Sequence, residues 1–152
     1  MKIKLISTSK ELALVRRIRK KVLELEQGFP HEVNIDGNDP RAVHALIYDG
    51  HKPVATARLL PTEKGRGKIA RIAIIKSHRG MGLARNLIRY LEKKAKMMCL
   101  STIRLEPHSY LEKFFERLGY QRLFGTTEVA GVPLIKLEKQ LTSNYKVNNE
   151  ES

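Results

Sequence analysis

Two groups of residues in this chain have types and spacing suited to chemistry. The first is Arg79-Gly80-Met81-Gly82-Leu83-Ala84, which joins an apolar run to an amphipathic stretch. Glycines at 80 and 82 tolerate the left-handed backbone angles at which successive N–H groups converge on one anion. A helix beginning directly after them adds its own N-terminal amides, so a pyrophosphate fits this turn. Two other phosphate signatures do not fit: GxxxxGK[ST] is absent, and GxGxxG would need glycine where Arg85 stands. The second group is Glu106, His108 and Tyr110, three side chains that exchange protons, placed just after a short apolar strand. Histidine suits base work near neutral pH, and a phenol can return a proton to a leaving group. Each also has a structural use: a hydrogen bond for Glu106, a surface turn for His108, helix-entry packing for Tyr110.

The elements that must position these groups follow from periodicity. Residues 2–6 read as a first strand, and Thr8 with Glu11 forms a capping box for a helix with Leu12, Val15, Ile18, Val22 and Leu25 inward. Gly28 and Pro30 end it. Phe29 to Pro40, with Glu32, Asp36 and Asp39, reads as a surface loop. Val43 to Tyr48 and Val54 to Leu60 form strands joined through Asp49-Gly50, and Lys64-Gly65-Arg66-Gly67 turns into a buried strand at Ile69 to Ile75. Past the glycine turn, Ala84, Leu87, Ile88, Leu91, Ala95 and Met98 share a helical face. A strand over Thr102 to Glu106, a helix over Leu111 to Leu118 and final strands ending at Val132 to Leu137 complete the order. Such an order predicts an α/β (α+β) fold, a mixed sheet with helices on both faces. Thr142 to Ser152 lacks apolar pattern and reads as a disordered tail behind one domain over residues 1–141.

Composition narrows the function classes. The chain has 152 residues, 41% hydrophobic, enough for one core and no more. No apolar tract spans a membrane and the N-terminus meets charge too early for a signal peptide, so a cytoplasmic protein without membrane association is expected. Cys99 is the single cysteine, which excludes an internal disulfide; it reads as a small buried hydrophobe. The five histidines lack metal-ligand spacing, so no metal is expected. A net charge of +13 raises nucleic acid as a partner, yet Arg16, Arg17, Arg19, Lys20 and Lys21 read as a solvated helix face, and aromatics do not interleave with the basic residues.

The turn matches (Q/R)xxGx(G/A) at Arg79, Gly82 and Ala84, and Phe114-Phe115-Glu116-Arg117-Leu118-Gly119-Tyr120 matches FYxxxGF. With the element order of residues 1–138, these segments resemble the GNAT acetyltransferases. The resemblance implies the GNAT fold, acetyl-CoA as co-substrate, a homodimer, and backbone amides of Ile72, Ala73 and Ile74 that hold the pantetheine and polarise the thioester carbonyl. It also implies that Arg79, Gly80, Met81, Gly82, Leu83 and Ala84 hold the pyrophosphate. Two positions depart from the family. A glutamate before the turn is replaced by Ala70, and the tyrosine of FYxxxGF by Phe115, so the customary base and acid are absent.

Glu106, His108 and Tyr110 are therefore the expected catalytic substitutes, and Glu32, Asp36 and His44 are weaker ones that would wall the acceptor pocket. Ile103-Arg104-Leu105-Glu106 and the segment ending at Gly119-Tyr120 are similar to the glucosamine-6-phosphate N-acetyltransferases. That likeness implies a phosphorylated amino sugar as acceptor, with Arg58, Arg71 or Arg104 facing its phosphate. Positive charge disfavours polyamines. A protein or peptide acetyltransferase and a non-catalytic coenzyme A module are the alternatives.

Overall fold

The computed structural model describes residues 1–141; the expected disordered tail lies outside the described residues. Seven strands form one sheet in the order β1-β2-β3-β4-β5-β7-β6: β1 Lys2–Leu5, β2 Val43–Asp49, β3 Lys52–Pro61, β4 Arg66–Ile74, β5 Thr102–Leu105, β6 Gln121–Val129 and β7 Val132–Gln140. All pairs are antiparallel except β4 with β5. The helices are α1 Ser9–Arg19, α2 His31–Asn34, α3 Leu83–Met97 and α4 Glu112–Arg117. Residues Val54 to Leu60 of β3 are buried without alternation, which requires cover on both faces of the sheet.

Thr8 opens α1 as expected, its hydroxyl accepting from the Glu11 N–H at 3.1 Å while the Glu11 carboxylate accepts from the Ser7 N–H at 2.9 Å. The helix does not run on in one register. From Lys20 to Glu26 it widens to i→i+5 bonding, which shifts the inward face. Leu23 is consequently buried, whereas Leu25, assigned inward by a 3.6-residue period, is 74% exposed. The stretch from Phe29 to Pro40 is not a simple surface loop either. It contains the single turn α2 and, at Asp39–Arg41, a 3-10 turn, with Asn34 and Asp39 buried.

Two further expectations are corrected. Cys99 is exposed rather than buried: it terminates α3 in the left-handed region at φ 63°, its N–H donating to Lys96 O. Arg19 is wholly buried rather than solvated, because it occupies the i+4 position of the stripe Val15, Ile18, Arg19, Val22. The core lies between the sheet and its helices, with Val15, Ile18, Leu87, Ile88 and Leu91 packed on β2 to β4 residues.

Candidate active site

Strands β4 and β5 pair only from Arg66↔Thr102 to Lys68↔Arg104. Beyond Lys68, β4 continues to Ile74 with no strand on that edge, so the parallel pair splays and leaves a cleft. On its other edge β4 carries one extra residue relative to β3, between Ala70↔Arg58 and Ala73↔Thr56. Arg71 sits in this bulge at φ 55°, an uncommon angle for a branched or long side chain and one that re-aims neighbouring groups.

The cleft ends at the glycine turn. Gly80 and Gly82 both take φ 77°, and a Cβ built at either meets nothing within 4 Å, so the conformation rather than crowding selects glycine here. No side chain caps α3, and the backbone N–H groups of residues 80–85 have no hydrogen-bond partner among the described residues. That is the donor array a pyrophosphate needs. Arg79 does not face this array freely. Its Nε donates to Ile74 O at 3.0 Å and its Nη2 to Glu26 Oε2 at 2.6 Å.

A cavity of about 230 Å³ occupies the splay. Ala70, Arg71 and Ile72 line it from β4, Glu106 and His108 from the end of β5, and Tyr110, Leu111 and Phe115 from the following turn and α4. Leu23, Phe29, Val33 and Asn34 close the front. Hence the structure brings Glu106, His108 and Tyr110 into one cavity with Ala70 and Phe115, the two residues that cannot exchange protons. The His108 and Tyr110 rings stack at 5.2 Å with 16° between planes, and Phe29 lies 6.3 Å from His108. Glu106 is paired with Lys68.

Several expected site residues lie elsewhere. Glu32 is exposed on α2 and does not line the cavity. Arg58 is 3% exposed beneath the front wall, its Nη1 and Nη2 donating to Asp36 at 2.8 and 2.9 Å and Nη1 also to Asp39 at 3.1 Å. Those hydrogen bonds from Arg58 hold the Asp36 carboxyl well below the usual range, so Asp36 is an ion-pair partner and not a base. Arg104 pairs with Glu138 at 3.1 Å and opens onto a separate, smaller cavity. His44 is buried, with Nε2 3.1 Å from Asp39 O, and burial keeps its pKa below the ordinary value. Of the three arginines expected at the acceptor, only Arg71 lines the main cavity.

What sequence reasoning missed is the scaffold under the front wall. Arg19 donates to Asn34 Oδ1 and to Asp39 Oδ1, both at 2.8 Å, and also to Asn34 O. Arg71 donates to Asn34 O at 3.2 Å and Val33 O at 2.6 Å. The unsatisfied carbonyls of a one-turn helix are thus capped by guanidiniums from α1 and β4. The signal was present: Arg19 interrupts an apolar helical stripe, and Arg58 an apolar strand.

Among the described residues no group of three or more His, Cys, Asp or Glu is placed to hold a metal ion, and no helix is long and apolar enough to cross a membrane. Comparison with known proteins places the chain among acetyltransferases. In Bacillus subtilis (strain 168), the uncharacterised N-acetyltransferase YjcF is 33% identical over 124 residues, which cover 80% of this chain and 87% of the relative. A second protein of that organism, whose acetyltransferase name is provisional, is 32% identical over 92% of this chain and 97% of its own. Among solved structures, Escherichia coli ElaA superposes with a TM-score of 0.81 at 20% identity, covering 91% of this chain and 99% of that one. An aminoglycoside 6'-N-acetyltransferase complexed with coenzyme A superposes with a TM-score of 0.75 at 16% identity, covering 95% and 99%. Residues 13–120 match the profile of the acetyltransferase (GNAT) family, and with that match and those relatives the chain belongs to this family of N-acetyltransferase enzymes.

Proposed function

We propose that the chain transfers an acetyl group from acetyl-CoA to the primary amine of a small acceptor held in the 230 Å³ cavity. The observation that carries this is the continuity of three features: free amides at 80–85, the unpaired edge of β4, and proton-exchanging residues at the end of β5. The pyrophosphate binds the turn, the pantetheine runs along β4, and amides of Ile72 to Ile74 polarise the thioester carbonyl. The amine nitrogen attacks the carbonyl carbon, the C–S bond breaks, and the amine proton is lost as the thiolate gains one. His108 takes the proton from the amine, Tyr110 returns one to the thiolate, and Glu106 orients the amine or the histidine.

Ala70 and Phe115 in the cavity wall favour a second reading, a coenzyme A binding module without turnover. Release of free coenzyme A that depends on added amine separates the two. A panel of glucosamine 6-phosphate, amino acids, peptides and polyamines then assigns the acceptor class. Glucosamine 6-phosphate stays in the panel on the likeness around Glu106 and Gly119, although Arg58 and Arg104 do not line the cavity. With the best acceptor, His108→Ala lowers kcat by roughly 10²-fold or more and removes the lower pH limb while coenzyme binding persists. Undiminished turnover in that variant moves the base elsewhere.

A further inference from the structure

Beneath the front wall of the cavity three guanidiniums meet only two carboxylates directly. The guanidiniums of Arg19, Arg58 and Arg71 share two carboxylates, Asp36 and Asp39. Arg16 also reaches Asp39 at 3.1 Å but is 42% exposed, where water screens it. His44 beside Asp39 stays neutral because burial depresses its pKa. Glu24 accepts from the Asn34 amide and from His31, not from a guanidinium. Within the cavity Lys68 is matched by Glu106.

The imbalance surfaces at one place. Asp36 is already engaged by both Nη atoms of Arg58, and Arg71 shares only its Oδ2, at 3.1 Å. The other acceptors of Arg71 are neutral carbonyls, Val33 O and Asn34 O. Its Nη1 has no hydrogen-bond partner among the described residues. It is not sealed either, since the orphaned buried atoms are His44 Nδ1 and Arg58 Nε. Burial, with Arg58 nearby, pushes the Arg71 pKa down to about 10, as expected of a cation short of counter-charge. Arg71 also lines the cavity and stands in the β4 bulge, one residue from the amide of Ile72. A non-glycine residue held at positive φ marks a conformation that the surroundings enforce.

Building on the acetyl-transfer reading, we infer that Arg71 makes the site selective for an amine that also carries a carboxylate or a phosphate, which Nη1 of Arg71 receives. The clamp on the Val33 and Asn34 carbonyls pre-orients the guanidinium, so little freedom is lost when the anion arrives. Phe29, Val33 and Leu111 leave an apolar wall for the remainder of the acceptor.

The test uses matched acceptors with the full chain and acetyl-CoA: tyrosine against tyramine, 2-aminoethyl phosphate against 2-aminoethanol, and glucosamine 6-phosphate against glucosamine. The anionic member of at least one pair exceeds its neutral partner in kcat/KM by about tenfold or more, and which pair does so tells carboxylate from phosphate. Arg71→Gln brings that ratio towards unity and Arg71→Lys restores part of it. Asp36→Asn, which removes a competing carboxylate, widens it; a merely structural Arg71 would leave it unmoved. If Arg71→Gln does not fold, the lysine and Asp36 variants decide. Neutral members turned over as well as anionic ones overturn the inference and leave acetyl transfer standing. If no acceptor is turned over, the acetyl-transfer reading fails instead. Calorimetry on coenzyme A-saturated protein then decides the anion question: tighter binding of N-acetyltyrosine than N-acetyltyramine, or of N-acetylglucosamine 6-phosphate than N-acetylglucosamine, supports it, and equal binding within both pairs overturns it.

Discussion

Arg79, the basic residue of the glycine turn, donates to Glu26 at 2.6 Å, joining the coenzyme end of the cleft to the last residue of the widened helix. That helix also supplies Leu23 to the cavity wall. An incoming pyrophosphate and the Glu26 carboxylate therefore compete for one guanidinium. The two side chains are 43% and 33% exposed, so water and salt moderate the contest.

Glu26→Gln removes the competitor. Exposed ion pairs contribute about 0.2–1 kcal/mol, so acetyl-CoA binding tightens by up to about fivefold at low salt, and the difference fades in high salt. Calorimetry at two ionic strengths measures this. Equal affinity of wild type and variant at low salt would mean that Arg79 serves the turn alone, through its bond to Ile74 O.

Asp39 holds Arg19, Arg58 and Arg16 together. Asp39→Asn leaves buried guanidiniums short of a carboxylate, a loss of about 3–5 kcal/mol. Thermal melting should fall by roughly 6–20 °C for a domain of this size. An unchanged melting temperature would show the network to be electrostatically idle.

The same network sets the acid limb of stability. Burial is the main influence on His44 and lowers its pKa below 6.5, so the unfolded chain takes up a proton as pH falls through about 6.5 and the folded one only at a lower pH. Stability is complete above that pH and begins to decline below it. A second decline starts near the ordinary aspartate value of 3.8: hydrogen bonds from Arg58 lower Asp36, and in Asp39 burial pushes upward but Arg19, Arg58 and Arg16 outweigh it. Both carboxylates thus stabilise the fold above about pH 4 and cease to do so as they are protonated in the folded state. Urea titrations from pH 8 to 3 should show the two stages, and His44→Gln should abolish the upper one. A single stage in both proteins would contradict the burial argument.

Tyr120 lies next in sequence to the α4 segment but is not a spare acid. Its hydroxyl donates to Glu92 at 2.7 Å in the core, and burial followed by the Glu92 charge raises its pKa far above the usual phenol range. Tyr120→Phe should cost about 1.5–3 kcal/mol in stability, the worth of a hydrogen bond to a charged group, with Lys139 still answering Glu92. Turnover at 25 °C should stay within about twofold of wild type. A large fall in kcat with an unchanged melting temperature would place Tyr120 in the chemistry.

Local signals were legible in the sequence, long-range ones less so. The glycine turn is written in consecutive residues, and α3 repeats its apolar positions at 3.6, so both are found where periodicity places them. Strand β6 has little apolar alternation to announce it: it is an edge strand with Phe124 fully exposed and a register shift between Arg122 and Thr126. The front wall depends on Arg19, Arg58 and Asp39, whose partners lie about twenty positions away, beyond any local pattern. Arg58 looked like a ligand-facing cation because only the folded chain supplies the carboxylates that consume it. The widened helix escaped because an i→i+5 segment keeps the composition of an α-helix while moving Leu23 inward and Leu25 outward.

The claim that the unpaired amides at 80–85 hold the coenzyme is tested most directly by acetyl-CoA calorimetry on Gly82→Asp, followed by an assay of amine-dependent thiol release. Aspartate is among the few residues that accept left-handed angles, and a Cβ at position 82 meets nothing within 4 Å, so the variant should fold with the wild-type circular dichroism. Its carboxylate then faces the pyrophosphate, and binding and amine-dependent release of coenzyme A should both be lost. A folded Gly82→Asp protein that binds acetyl-CoA and releases its thiol as wild type does would contradict the assignment of the turn.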